Sequence, residues 1–358
     1  MKGLEFPIIG TKTIGLNKAF DLSSPDTRKK YFEAKVGNEI GQIRKYLQTG
    51  SFIAYFLGKK NSGKGTYSKL ITEIFGTDKI THISVGDIVR EYSEIWDDKF
   101  EKSDKYYQIK KLYRGYVSFE EAVKRFKGRS TAGALLPTEF ILTLLKIRIS
   151  SLPGKSIFID GLPRDMDQVS YSLYFRDLIN YRDDPDMFIL IDIPESIIEA
   201  RIKNRVICPQ CGTSRSLKFL LTSKVKYDKK TGEFYLICDN SECSGKERMV
   251  AKEGDDLGIE PIRPRLEKDE AILKKIFELH GVPKILLRNH VPVDKALEYF
   301  DDYELTPEYV LSWNDKGEKV NISEIPWIVK DDNGVESHSL LAAPVVISLI
   351  KQLAEVLR

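Results

Sequence analysis

The chain has 358 residues, 42% of them hydrophobic and 30% charged, and no uninterrupted apolar stretch reaches the roughly 18 residues of a membrane span. Its 56 basic and 53 acidic residues leave a net charge of only +3, which excludes a broadly basic nucleic-acid binder and makes any anion site local. The first residues lack a continuous apolar signal core and include Glu5 and Asp21, against an acid-poor transit peptide, so a cytoplasmic location is expected.

Residues 1–50 read as an N-terminal extension ending in a helix, with Ser24 as N-cap, Pro25 at the first helical position and Gly50 at the end. Four short apolar runs follow: SFIAYFL from 51, ITHISV from 80, SIFID from 156 and MFILIDI from 187. Helical patterns such as TEFILTLLKIRISSL separate them. Continuous apolar strands alternating with helices predict an α/β fold whose parallel sheet is covered on both faces. After Arg265 a helix is predicted up to Gly281, a hairpin around NDKGEK, and a last helix over APVVISLIKQLAEVL packed on the sheet. The rest of 282–338 gives no clear pattern. Trp313 and Trp327 imply that this region packs against the core or a second subunit.

The stretch LGKKNSGKGTYSKL, from Leu57, places Gly58, Asn61, Ser62, Gly63, Lys64, Gly65 and Thr66 between the first strand and a helix. Backbone N–H groups in such a loop converge on phosphates, the helix N-terminus adds partial positive charge, and Lys64 reaches the terminal phosphates. Asn61 stands where a glycine is usual, and asparagine tolerates positive φ best after glycine.

All four cysteines, Cys208, Cys211, Cys238 and Cys243, fall in one segment as C-x2-C and C-x4-C separated by 26 residues. That clustering suits a structural Zn²⁺ better than dispersed disulfides. Asp239 is an alternative ligand. The surrounding SLKFLLTSKVKYDKKTGEFYLI reads as short strands about an Asp-Lys-Lys-Thr-Gly turn.

The Gly-Lys-Gly-Thr ending of the loop resembles the adenylate kinase and nucleoside-monophosphate kinase family. Other segments match that family's motifs in order: HISVGDIVR at 82, GALLPTEF at 133, DGLPRDMDQ at 160, ARIKNRVICPQCG at 200 and DDLGIEPIRPRL at 255. The resemblance spans roughly residues 52–281. It implies a P-loop kinase fold with a core of 51–85, 134–207 and 250–358, a monophosphate-binding insertion at 86–133 and a zinc-binding lid at 208–249. It implies transfer of a phosphoryl group from Mg²⁺·ATP to AMP, with a kinase for UMP, CMP or another monophosphate as the alternative. It assigns the ATP side to the phosphate loop with Arg201 and Arg205. The AMP side falls to Val85, Gly86, Arg90, Leu135, Leu136, Gly161, Arg164, Gln168 and Arg265. Lys64, Arg164, Arg201, Arg205 and Arg265 are the catalytic cations, and Asp160 orients the Mg²⁺ hydration shell.

Three positions depart from the family pattern. Glu253 replaces an arginine, with Lys252 or Arg248 as substitutes; Val85 replaces a threonine; and the stretch after Arg90 is longer and rich in aromatics. His82 receives no catalytic role. A zinc-ribbon nucleic-acid binder using Lys224, Lys226, Lys229 and Lys230 is the reading from a different class. The partners expected are ATP and AMP, without membrane, for a monomeric chain.

Overall fold

The computed structural model describes residues 3–16, 18–128, 137–164, 186–240, 242–244 and 247–358. At its centre is a parallel sheet of five strands: β1 (Ile53–Gly58), β2 (Ile80–Ser84), β3 (Ser156–Asp160), β4 (Asp186–Asp192) and β5 (Lys284–Arg288). Their order is β5-β4-β1-β3-β2. The four apolar runs of the sequence supply β1 to β4. The fifth strand, KILLR, lies in the stretch whose residues give no clear pattern.

Successive side chains of a strand point to opposite faces, so a strand buried on both sides divides its residues between two cores. In β1, Ile53, Tyr55 and Leu57 join one apolar cluster with Ile159 and Leu190. Ala54 and Phe56 join the other with Phe158, Ile189 and Leu287. The first face is covered by helices Val85–Ile95, Thr138–Ser150 and Arg263–Glu278. The last of these ends before Gly281, which takes φ +82° in the following turn. The second face is covered by helices Pro25–Tyr46, Lys64–Phe75 and Ala342–Val356. The N-terminal extension is thus part of the core: Tyr31, Phe32, Ile40 and Ile43 are buried. Ser24 is its N-cap residue but makes no side-chain capping bond. The extension is also tied electrostatically, since Lys35 pairs with Asp301 at 2.7 Å and Thr11 and Tyr31 donate to the buried Glu304 carboxylate.

The aromatic stretch after Arg90 forms helices Asp104–Leu112 and Phe119–Lys127. They close over Trp96, whose ring lies 4.9 Å from Phe100 and from Phe126. The cysteine segment holds a three-stranded sheet of Arg205–Ile207, Ser214–Ser216 and Val250–Ala251, and a hairpin of Val225–Asp228 with Glu233–Leu236 about the expected turn.

The C-terminal region contains the hairpin expected around NDKGEK, formed by Pro307–Asn314 and Lys319–Pro326. It lies against the cysteine segment. Trp313 stacks on Tyr227 at 4.9 Å and Trp327 on Phe219 at 4.0 Å. The Tyr309 N–H donates to the Lys218 carbonyl at 2.8 Å, and Lys218 and Lys229 pair with Glu308 and Glu318. One of the four lysines of the nucleic-acid reading is therefore already paired.

Candidate functional site

The phosphate loop leaves the C-terminal end of β1, where ligands bind in open α/β sheets. Asn61 takes φ +66° and Gly63 φ +99°, conformations that asparagine and glycine permit. A Cβ on Gly63 would stand 2.8 Å from the Tyr67 ring, so no larger residue fits there. The Lys64 ammonium lies inside the loop, donating to the carbonyls of Gly58 at 2.9 Å and Lys59 at 3.2 Å. Asp160, at the end of β3, is 3.9 Å away. Burial pulls the Lys64 pKa down and the Asp160 charge opposes this.

The cations expected around a transferred group line the same cleft. It has a volume of about 1910 Å³, and Lys64, Asp160, Arg164, Arg201, Arg205 and Arg265 all line it. Arg205 makes a two-pronged ion pair with Asp255, both bonds 2.6 Å. Arg265 pairs with Asp269 at 2.7 Å, and the other Asp269 oxygen accepts the Lys60 backbone N–H at 3.1 Å. Arg201 differs. Its guanidinium rests on Asn289 Oδ1 at 3.1 Å and Ser339 Oγ at 3.4 Å, and among the described residues no carboxylate pairs with it. A half-buried cation held only by neutral oxygens keeps its charge un-neutralised by the protein groups around it.

Lys60 adds to this positive field. Burial and then the charges of Lys252, Arg205 and Arg265 press its pKa down. Of the two substitutes for the missing arginine, the exposed Lys252 is thus close enough for its charge to act on Lys60 of the phosphate loop. Arg248 instead pairs with Glu233 at 2.8 Å on the cysteine segment's hairpin.

Arg90 and Arg164 approach one point from different elements: a guanidinium nitrogen of each lies 3.7 Å from where a Cβ on Gly86 would sit. Arg164 folds over Gly161, whose φ of +94° and missing side chain make room for the guanidinium. Arg90 also pairs with Asp87. Val85 is 2% exposed and packs in the apolar cluster with Ile88 and Val89. Leu135, Leu136 and Gln168 lie outside the described residues.

The four cysteine sulfurs stand within 4.8 Å of one another. The Cys208–Cys243 and Cys211–Cys238 separations are 3.9 and 3.7 Å. A tetrahedron with Zn–S bonds of about 2.3 Å has edges of about 3.8 Å, so the donors fit Zn²⁺. The Thr213 hydroxyl and backbone N–H hold the Cys211 thiol down to about 6, which favours the thiolate that binds metal. Asp239 is not needed as a ligand, since its carboxylate pairs with Arg215 at 2.7 Å.

Several residues of this geometry were missed in the sequence. Asp269 carried a signal, four residues after Arg265 on one helix face. Asn289 and Ser339, 88 and 138 residues from Arg201, carried none.

No protein-family model matches the chain. It is 28% identical over 262 residues to the adenylate kinase of Thermotoga neapolitana, covering 73% of this chain and 97% of that protein. It is 30% identical over 234 residues to that of Thermotoga petrophila, covering 64% and 86%. The adenylate kinase of Clostridium acetobutylicum is 30% identical over 233 residues, covering 64% and 93%. Among the described residues no helix is long and apolar enough to cross a membrane. With a phosphate loop and a ring of cations at the strand ends, and these relatives matched over most of their length, the chain belongs to the adenylate kinase family of nucleoside-monophosphate kinases.

Proposed function

We propose that the protein transfers the γ-phosphoryl group of ATP to AMP, giving two ADP. The observation that carries this reading is Arg201, a half-buried cation without a carboxylate partner among the described residues, in one cleft with Lys64, Arg205 and Arg265. Phosphoryl transfer brings several negative charges together and is accelerated mainly by positioning and fixed cations. The loop's N–H groups and Lys64 bind the β- and γ-phosphates. Arg201, Arg205 and Arg265 surround the group in transit, and Arg90 and Arg164 hold the acceptor phosphate against Gly86. An oxygen of that phosphate forms a bond to the γ-phosphorus while the bond from γ-phosphorus to the β–γ bridging oxygen breaks, so ADP leaves without a covalent enzyme intermediate.

Asp160 lines the cleft beside Lys64 and suits a Mg²⁺ held through its water shell. When bound with ATP, Mg²⁺ neutralises charge on the β- and γ-oxygens. Cys208, Cys211, Cys238 and Cys243 would hold a Zn²⁺ that stiffens residues 208–249 as a lid, and a closed lid excludes water that would hydrolyse ATP.

AMP is the acceptor favoured by Gln168, whose amide can both donate and accept along the adenine edge. Val85 supports the second reading, a kinase with looser base choice, because it offers no hydroxyl. The test is kcat/KM for AMP, GMP, CMP, UMP and dTMP with ATP as donor, repeated for Gln168→Ala. AMP should lead and lose its lead in the variant. CMP or UMP outperforming AMP would refute the adenylate reading while leaving the family intact.

A further inference from the structure

Two neighbouring lysines of the phosphate loop meet opposite surroundings. Lys59 is buried, and its ammonium is enclosed by the carboxylates of Glu195, Glu270 and Asp332. Lys60 is solvent-exposed and lines the cleft with Lys64, Arg164, Arg205 and Arg265. Its backbone N–H is fixed on one Asp269 oxygen at 3.1 Å while the other oxygen holds Arg265 at 2.7 Å, so the loop residue and that arginine share one anchor. The Asp255 carboxylate is likewise engaged, both oxygens taking bonds of 2.6 Å from Arg205. Among the described residues no carboxylate pairs with the Lys60 ammonium. Partial desolvation and then the charges of Lys252, Arg205 and Arg265 press its pKa down, opposed only by Asp255. An un-neutralised cation thus stands at the phosphate loop among other cations.

We propose that Lys60 is a catalytic cation that meets the γ-phosphoryl group in transit, supplied by the phosphate loop where Glu253 stands in place of the family's arginine. This rests on reading the cleft as the site of phosphoryl transfer. Fixed positive charge that no protein group cancels favours an incoming anion, and favours most the state in which negative charge is gathered on the moving group. As an acceptor oxygen bonds to the γ-phosphorus and the bond to the β–γ bridging oxygen breaks, the ammonium donates hydrogen bonds to the equatorial oxygens and neither gains nor loses a proton. A compact charge on a flexible stem can follow those oxygens from donor to acceptor. The shared anchor on Asp269 keeps the loop backbone from which that stem springs in register with Arg265.

The experiment compares the parent protein with Lys60→Met, which keeps the stem and removes the charge, with Lys60→Arg, which restores a charge, and with Lys252→Met. It reads kcat, KM for Mg²⁺·ATP and for AMP, and thermal unfolding of each. Lys60→Met should lower kcat roughly 10- to 100-fold, the scale of a lost hydrogen bond between charged groups. Both KM values should stay within about 3-fold of the parent's, because the contact is made chiefly in the transition state. Its Tm should match the parent's, since the side chain is exposed and unpaired. Lys60→Arg should recover most of the lost kcat, and Lys252→Met should cost less than Lys60→Met. A parental kcat in Lys60→Met, a loss confined to KM for ATP, or a greater loss in Lys252→Met would each overturn the proposal. Should Lys60→Met fail to fold, Lys60→Gln takes its place under the same criteria. If the parent itself formed no ADP from ATP and AMP, the reading of the cleft would fall and the proposal with it; a normal Lys60→Met beside an active parent sinks the proposal alone.

Discussion

Lys59 sits in the phosphate loop, yet its side chain turns away from the cleft and is 1% exposed. Its ammonium meets Glu195 at 3.0 Å, Glu270 at 3.0 Å and Asp332 at 3.4 Å. It thereby joins the loop to helices Glu195–Lys203 and Arg263–Glu278 and to the C-terminal region. Burial pulls its pKa down, but the charge of Asp332 and the bonds to Glu195 and Glu270 outweigh it and the net direction is up. The ion pairs win over desolvation. Lys59→Met keeps the stem and removes the charge, leaving three carboxylates facing one another. Breaking a buried pair costs about 3–5 kcal/mol. Here water reaches the carboxylates, which are 29%, 21% and 13% exposed. All three also keep other partners: Lys274 for Glu270 at 2.9 Å, Arg263 for Glu195 at 3.7 Å and the Glu195 N–H for Asp332 at 2.9 Å. The expected loss is therefore about 2–3 kcal/mol, or about 3–4 °C in Tm for a chain of 358 residues. Calorimetry and urea unfolding measure it. Asp332→Asn should cost less, and the double variant less than the sum of the two. A Tm within about 1 °C of the parent protein would refute the idea that this cluster anchors the loop.

Lys64→Met should lower turnover roughly 10³- to 10⁵-fold, the scale of a lost transition-state cation; near-normal steady-state rates would sink its role. Elemental analysis of protein purified without chelator should give one zinc per chain, and chelation should unfold the cysteine segment before the core because so small a unit buries little apolar surface. Chelator-resistant circular dichroism and absent zinc would contradict this. Removing residues 1–45 takes away buried Tyr31, Phe32, Ile40 and Ile43, a loss on the order of 6 kcal/mol or more. That is comparable to the stability of a whole domain, so the truncated chain should not unfold cooperatively on heating. His290 is buried, and burial followed by the charge of Arg288 holds its pKa at about 3. The unfolded chain protonates this residue near pH 6.5, so the stability it contributes is complete above that pH and falls as pH drops from 6.5 toward 3. His290→Gln should flatten Tm against pH across that window; an unchanged slope would rule out His290 as its source.

What was legible in the sequence followed from local rules. β1 to β4 showed as apolar runs because strands buried on both faces leave little room for polar residues, and the phosphate loop and cysteine pairs showed because their chemistry fixes spacing. β5 did not show. It is an edge strand in which Ile285 and Leu287 face the core while Lys284 and Arg288 are half-exposed, so its apolar signal is only a few residues long. The partners of the cations were invisible for another reason. Asn289, Ser339 and Asp332 reach the site through chain reversals of the C-terminal region, and no residue pattern near Arg201 or Lys59 announces them.

The contact between the cysteine segment and the C-terminal hairpin also determines what light can report. The chain has three tryptophans, and two of them, Trp313 and Trp327, stack on Tyr227 and Phe219 of that segment. The third, Trp96, is enclosed in the helical insertion. Indole emission responds to the polarity around the ring, and a ring leaving a stack for water shifts to longer wavelength. Separation of the two elements therefore carries its own unlabelled optical signature. With Trp96→Phe the remaining emission comes from the two tryptophans stacked on the cysteine segment, and energy transfer from Tyr227 to Trp313 adds a second channel sensitive to the same few ångströms.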